Sequence, residues 1–104
     1  MSKSYPDIYD HLCGLMSKLG GEAPDVMAGF TRLHEASTAE GALTAKPKEL
    51  IALAIGITVR CDGCIAYHVH DALAAGATRE ELVETIGVAV MMGGGPSGVR
   101  LRGA

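Results

Sequence analysis

The chain is rich in apolar residues but almost without aromatic ones, and this balance most constrains how it can fold. Apolar residues make up 48% of its 104 residues, whereas aromatic residues make up only 4%. A core must therefore be built from Ala, Leu, Ile, Val and Met, which pack closely between helices. This length suffices for one compact domain but not for two. We expect one all-α domain over residues 1–104.

Apolar side chains recur at helical spacing in the first half of the chain. A first helix would end at Gly20-Gly21, where glycine adopts a left-handed conformation without cost. Pro24 suits a first helical position, and a second apolar stripe runs from Val26 to Leu33 before it fades over residues 35–38. The first stripe consists of Ile8, Leu12, Leu15, Met16 and Leu19.

The third predicted helix is almost entirely apolar. After a polar connection over residues 39–45, it would begin at Pro47 and run through Ile57. A helix with so little polar surface belongs at the centre of a bundle or at a subunit interface. Its C-terminal half is rich in β-branched residues, which would also suit a buried strand.

Two further helices are predicted in the second half. The first spans Asp62 to Ala75, with Gly76 as its left-handed cap. The second begins after Thr78, whose spacing to Glu81 is that of a capping box. The segment from Gly93 to Pro96 follows a helix and lacks the Lys and Ser/Thr of a phosphate loop, so we interpret it as a helix stop. The predicted buried face of this last helix is Leu82, Val83, Ile86, Ala89, Val90 and Met91.

Charge and hydropathy exclude several classes of function. The formal net charge is -3 at pH 7, and no run of Lys or Arg provides the positive surface of a nucleic-acid binder. No basic amphipathic segment suits a membrane surface, and the longest apolar run, residues 50–59, is far shorter than the roughly 20 residues that cross a bilayer. The polar N-terminal stretch lacks the apolar segment of a signal peptide. We expect a cytoplasmic protein without nucleic-acid or membrane partners.

Two cysteines three residues apart form the clearest chemical motif. Cys61 and Cys64 fall at the predicted start of a helix, where unpaired backbone amides and the helix dipole favour a thiolate. Two thiols at this spacing can form a disulfide by a modest movement of their side chains. His68 follows Cys64 by four residues, so it lies on the same helix face and can exchange a proton with the sulfur. In a reducing cytosol, such a pair is typical of a redox or metal site.

Glu49 precedes Cys61 by twelve residues, on the preceding predicted helix. If the two helices pack side by side, its carboxylate can reach His68 directly or through one water and orient the imidazole. The alternative is a solvated glutamate in a first helical turn, where it would suit the helix dipole.

Together these residues resemble the alkyl hydroperoxidase D and carboxymuconolactone decarboxylase superfamily. The resemblance covers about half the chain, from Pro47 to Gly95. It depends on a glutamate twelve residues before a CxxC pair and on a histidine four residues after the second cysteine. It implies a small bundle of about five to six helices that assembles into a homotrimer or homohexamer. It also implies that the catalytic residues are Glu49, Cys61, Cys64 and His68. One position departs from the pattern, because the best-known hydroperoxidases have a second histidine where this chain has Gly63.

The function that the resemblance implies is that of a thiol-disulfide redox enzyme, peroxiredoxin-like and of the alkylhydroperoxidase type. A thiolate would attack a small hydroperoxide or a disulfide, and the second cysteine would resolve the product into a Cys61–Cys64 bridge. The position of Cys61 at the helix end favours it as the attacking thiol, whereas proximity to His68 favours Cys64. We favour Cys64. The cycle needs no cofactor, and the family suggests a dithiol reductant of the lipoyl or thioredoxin type.

Three other interpretations stay open. The superfamily includes decarboxylases that act on a carboxylated muconolactone and need no cysteine pair. Cys61, Cys64 and His68 could hold zinc if another part of the protein supplied a fourth ligand. The cysteines could also be buried small residues of a non-catalytic assembly protein. The candidates for the fourth zinc ligand are Cys13, His11, His34 and His70.

The remaining residues with reactive side chains carry no functional prediction of their own. Cys13 is expected in the core, and His11 and His34 are expected on the surface or at helix caps. His70 points away from His68 on a helix, and Tyr67 can form at most the wall of a pocket.

Overall fold

The computed structural model describes residues 4–93, which form five α-helices and no strand. The helices are α1 (Tyr5–Glu22), α2 (Pro24–Thr38), α3 (Ala45–Thr58), α4 (Asp62–Ala74) and α5 (Arg79–Gly93). The predicted all-α class is confirmed, and α3 is helical to its end despite its β-branched residues. The predicted stop beyond Gly93 lies outside the described residues.

Three helix starts or ends differ from the prediction, and one of them, the end of α4 at Ala74 rather than Ala75, differs by a single residue. Gly20 and Gly21 are helical, and α1 continues to Glu22 with Ala23 as its C-cap. The break is caused by Pro24, because a proline disfavours the helical conformation of the residue before it. α3 begins at Ala45 rather than at Pro47. The proline lies within the first turn, where the amides have no partner inside the helix and a missing N–H costs little.

The turns at the ends of α3 and α4 have the same hydrogen-bond geometry. After α3, the amides of Arg60 and Cys61 donate to carbonyls of the last helical turn, and residues 76 and 77 do the same after α4. This is the Schellman motif, which requires one residue with positive φ. After α4 that residue is Gly76 at φ 94°, as predicted, but after α3 it is Arg60 at φ 61°. A non-glycine residue in this conformation costs about 1–2 kcal/mol.

The predicted capping box at the start of α5 is confirmed. The amide of Glu81 donates to Oγ1 of Thr78 at 3.1 Å, and the amide of Thr78 donates to Oε1 of Glu81 at 2.8 Å. Glu81 also pairs with Lys46 of α3 at 2.9 Å. The Lys46 ammonium and the Thr78 hydrogen bonds lower the pKa of Glu81 below its ordinary value.

α3 lies at the centre of the helix packing. It contacts α2, α4 and α5, while α1 packs against α2 and α4. The predicted buried face of α5 is only partly right, because Val83 is 50% exposed and Met91 is 73% exposed. Among residues 4–93, α5 packs mainly against α3, which covers one of its sides. The buried apolar cluster consists of Tyr5, Leu53, Ile57, Ile65, Ala66 and Ala89. None of the five helices is long and apolar enough to cross a bilayer.

Candidate active site

The cysteine pair lies at the N-terminal end of α4. Cys61 is the N-cap of this helix, and its Sγ accepts a hydrogen bond from the amide of Cys64 at 3.2 Å. A disulfide joins the two residues, whose Cα atoms are 5.2 Å apart. The sulfur of Cys61 thus lies where the unpaired amides of a helix start point. The same environment favours a thiolate when the bridge is reduced.

Glu49 on α3 makes direct contact with His68 on α4. Its Oε2 lies 2.7 Å from Nδ1 of the imidazole, and the two side chains are only 7% and 18% exposed. The carboxylate therefore accepts a hydrogen bond from Nδ1–H and leaves Nε2 as the ring nitrogen that can exchange a proton with a neighbouring group. The contact predicted from sequence is confirmed, and the alternative of a solvated glutamate is wrong.

Gly56 brings α3 close to the first turn of α4. A Cβ atom at this buried position would lie 3.1 Å from Cβ of Cys64 and 3.5 Å from backbone atoms of Cys64 and Ile65. The first distance is shorter than an ordinary contact between carbon atoms. The absence of a side chain at position 56 therefore allows α3 and α4 to approach this closely beside Cys64.

A cavity of about 360 Å³ reaches both cysteines. His68 and Tyr67 of α4 line it, so the expectation that Tyr67 forms a pocket wall is confirmed. Among the described residues, no Lys, Arg, Asp or Glu lines this cavity. Its apolar wall is formed by side chains of α1 and α2, which are Leu12, Met16, Leu19, Val26, Met27 and Phe30.

His34 is a site residue that sequence reasoning missed. It was expected on the surface or at a cap, but it is half-buried and lines the cavity. Its ring lies 6.2 Å from that of His68 with planes 19° apart, and it meets the Tyr67 ring edge-on at 5.5 Å. One signal could have found it, since His34 continues the stripe of Met27 and Phe30 at helical spacing.

Three helices bring His34, Glu49 and Asp71 together. One ring nitrogen of the histidine and one oxygen of each carboxylate lie within 4.8 Å of one another. Of the predicted zinc ligands only His34 belongs to this cluster, and the two predicted sulfur ligands, Cys61 and Cys64, are joined in the disulfide. Glu49 belongs both to this cluster and to the contact with His68. His34 and Asp71 therefore add a second imidazole and a second carboxylate to the site.

The other residues considered from sequence lie at the edge of this site or beyond it. Cys13 is half-buried rather than in the core, and His11 is exposed as expected. His70 is also exposed, stacked on Tyr9 at 4.0 Å and 3.1 Å from Oδ1 of Asp71. None of these three side chains lines the described cavity.

Two tyrosines near the site hold their protons more firmly than usual. Burial, followed by the nearby charges of Asp71, Cys13 and Glu49, raises the pKa of Tyr67. The hydrogen bond with Cys13 is the main cause that raises the pKa of Tyr9 to about 12. Both side chains are therefore neutral hydrogen-bond donors at physiological pH.

Two solved structures share this architecture at substantial sequence identity. A carboxymuconolactone decarboxylase family protein from Legionella pneumophila is 44% identical, with a TM-score of 0.87 over 91% of this chain and 85% of its own. A protein of the same family from Thermotoga maritima is 30% identical, with a TM-score of 0.78 over 92% of this chain and 81% of its own. Its name gives antioxidative response as a candidate role.

Sequence comparison gives the same assignment. An uncharacterized protein from Cupriavidus necator is 42% identical over 78 residues, which are 75% of this chain and 69% of the relative. An uncharacterized protein of the cox locus of Paracoccus denitrificans is 38% identical over 79% of this chain and 71% of its own. The model of the carboxymuconolactone decarboxylase family matches residues 24–104. With most of its length matched by this model, the chain belongs to the carboxymuconolactone decarboxylase family.

Proposed function

We propose that this protein is a thiol-disulfide redox enzyme that cycles Cys61 and Cys64 between dithiol and disulfide. The observation that carries the proposal is one cavity lined by both cysteines and by His68, whose Nδ1 lies 2.7 Å from Oε2 of Glu49. Membership of the family does not decide the reaction by itself, because one fold supports many chemistries. The proposal therefore rests on the cysteine pair and on His68.

The proposed cycle begins with the reduced pair. His68 takes the proton of Cys64, and the thiolate attacks an oxygen of a hydroperoxide, so that the O–O bond breaks and an alcohol leaves. Cys61 then attacks the sulfenic acid and releases water, which gives the Cys61–Cys64 disulfide. The sum is a dithiol and a hydroperoxide converted into a disulfide, an alcohol and water. A dithiol of the lipoyl or thioredoxin type restores the pair, and no cofactor takes part.

The wall of the cavity supports a substrate with an apolar body. Leucine, methionine, valine and phenylalanine side chains surround the approach to the sulfurs, and burying apolar area against them stabilises binding. We propose a small organic hydroperoxide or disulfide as substrate, and a peroxiredoxin-like activity of the alkylhydroperoxidase type. The antioxidative role named for the Thermotoga maritima relative is consistent with this chemistry.

Decarboxylation of a lactone, the reaction that gives the family its name, is the competing function. A carboxylated lactone would need positive charge in the cavity, but among the described lining residues only His34 and His68 can supply it. A decarboxylase would also have no use for a cysteine pair beside them. The geometry therefore favours redox chemistry.

We also propose that the single-domain chain works as a cytoplasmic homotrimer or homohexamer. Large apolar side chains are exposed on α3 and α5, among them Ile55 at 57%, Met91 at 73% and Met92 at 78%. An assembly that buried these side chains would remove apolar surface from water. Sedimentation velocity of the purified protein measures the number of subunits.

Steady-state consumption of cumene hydroperoxide tests the proposed activity. Dihydrolipoamide and reduced thioredoxin serve as alternative reductants, and Cys61→Ser, Cys64→Ser and His68→Ala serve as variants. We expect turnover by the wild type, none by the single-cysteine variants, and a rate for His68→Ala that is lower by about 100-fold or more. Cys13→Ser is the matched control and should keep full activity. Turnover that survives Cys64→Ser would refute the proposed cycle.

A further inference from the structure

His34 has surroundings that packing alone does not explain. Its ring stacks on His68 and meets Tyr67 edge-on, and it lines the same cavity as the two cysteines. Its Nε2 is enclosed by protein and has no hydrogen-bond partner within residues 4–93. Enclosing a polar atom without a partner is unfavourable. His34 nevertheless lines the cysteine cavity, and a role in the chemistry of the site would explain why this unfavourable arrangement is present.

Two carboxylates face this imidazole. A ring nitrogen of His34 and an oxygen each of Glu49 and Asp71 lie within 4.8 Å of one another. Because Glu49 also contacts His68, two histidines and two carboxylates share one region beside the cavity. The two negative charges reduce the repulsion between the rings when both are protonated.

We propose that His34 is a positioning residue of the cysteine site, which adds a second protonatable ring beside His68 and keeps the cysteine pair reactive below neutral pH. This inference rests on the proposed redox function. Each thiol gives up one proton as the disulfide forms, and the hydroperoxide takes up two protons and two electrons to become an alcohol and water. One imidazole can hold one of these protons, and His34 provides a place for the other.

A protonated His34 also acts on the sulfurs through its charge. Positive charge near a thiol increases the fraction present as thiolate. The groups that face His34 are Glu49 of α3 and Tyr67, His68 and Asp71 of α4. Tyr9 and Cys13 of α1 are neighbours of Tyr67. No Lys or Arg lines the described cavity. The two histidines are therefore the lining side chains that can add positive charge to it.

The test is the pH dependence of alkylation of the reduced pair by iodoacetamide, followed by mass spectrometry at Cys61 and Cys64. The variants are His34→Gln and His34→Phe, of which the second keeps an aromatic ring against Tyr67 but cannot carry a proton. At pH 6 we expect both to be alkylated about 3- to 10-fold more slowly than the wild type, with equal rates at pH 9. His11→Gln, the same change at an exposed histidine, should follow the wild-type profile.

Three results would overturn the inference. The first is an unchanged pH profile in both variants. The second is a His34→Phe profile that matches the wild type while that of His34→Gln does not, because the role would then be packing. The third is a wild-type profile that changes on addition of EDTA, because the three side chains would then act through a bound cation. Since iodoacetamide needs no physiological partner, a lack of hydroperoxide turnover would contradict the redox function separately from this result.

Discussion

Oε2 of Glu49 lies 2.7 Å from Nδ1 of His68, although the two residues are 19 positions apart in the sequence. The contact joins α3 to α4 and directs the other ring nitrogen away from the carboxylate. Because both side chains are largely shielded from water, their interaction is stronger than that of an exposed pair. We expect this pair to control proton exchange with the cysteines.

Replacing Glu49 with glutamine removes the charge and keeps the shape. We expect the reduced protein to be oxidised by cumene hydroperoxide about 10- to 100-fold more slowly at pH 7, because the imidazole loses the group that orients it and stabilises its protonated form. Stopped-flow measurement of single-turnover oxidation checks this expectation. Glu84→Gln on the exposed side of α5 is the control. A rate within twofold of the wild type would show that Glu49 has no part in proton exchange.

Gly56 is the position at which a single methyl group should disturb the site. Gly56→Ala places a Cβ atom 3.1 Å from Cβ of Cys64, and such overpacking costs about 1–3 kcal/mol. Gly87 is also within a helix but has nothing within 4 Å of an added Cβ, so Gly87→Ala should raise stability by up to about 1 kcal/mol. Urea unfolding of both variants measures the difference. Equal stabilities would mean that α3 and α4 adjust freely to the added atom.

The two Schellman turns allow a paired test of backbone strain. Arg60→Gly should stabilise the protein by about 1 kcal/mol, because glycine adopts positive φ without the steric cost that arginine incurs. Gly76→Ala should destabilise it by a similar amount for the same reason. Thermal unfolding of the oxidised protein compares the two. If Arg60→Gly lowered the melting temperature, contacts of the arginine side chain would outweigh the strain.

Tyr9 should make stability fall with alkaline pH. Its folded-state pKa of about 12 lies above the ordinary value of 10.0, so between these values the folded protein keeps a proton that the unfolded chain has lost. The stabilisation is complete below pH 10 and disappears as pH rises from about 10 to about 12. Tyr9→Phe should therefore show a smaller loss of stability between pH 8 and pH 11 in urea unfolding. Parallel curves for the two proteins would rule out this source of pH dependence.

Much of the fold could be predicted because its signals are local. The Thr78–Glu81 capping box and the cap at Gly76 depend on a few neighbouring residues, and both are present. The glycines at 20 and 21 were misleading, because glycine permits a helix to end without requiring it, and Pro24 causes the break. Helix propensity therefore located the elements better than it located their ends.

The part of the candidate site that lies on α4 was the easiest to predict from the sequence. Cys61, Cys64 and His68 belong to one helix, so their relative positions follow from its periodicity. His34 lies on another helix, and its place beside His68 depends on how α2 crosses the bundle. No spacing in the sequence encodes that crossing. The exposure of Val83 and Met91 is a similar case, since it depends on which side of α5 meets α3.

The most direct test of the central claim is titration of thiols before and after one equivalent of hydroperoxide, with metal content assayed on the same sample. We predict that the reduced wild type loses two thiols per chain, that a dithiol restores them, and that Cys61→Ser and Cys64→Ser form no intramolecular disulfide. Cys13 should remain titratable throughout. The account would be contradicted if the thiols of Cys61 and Cys64 stayed reduced in the presence of hydroperoxide. It would also be contradicted if one zinc ion per chain were bound and blocked their titration.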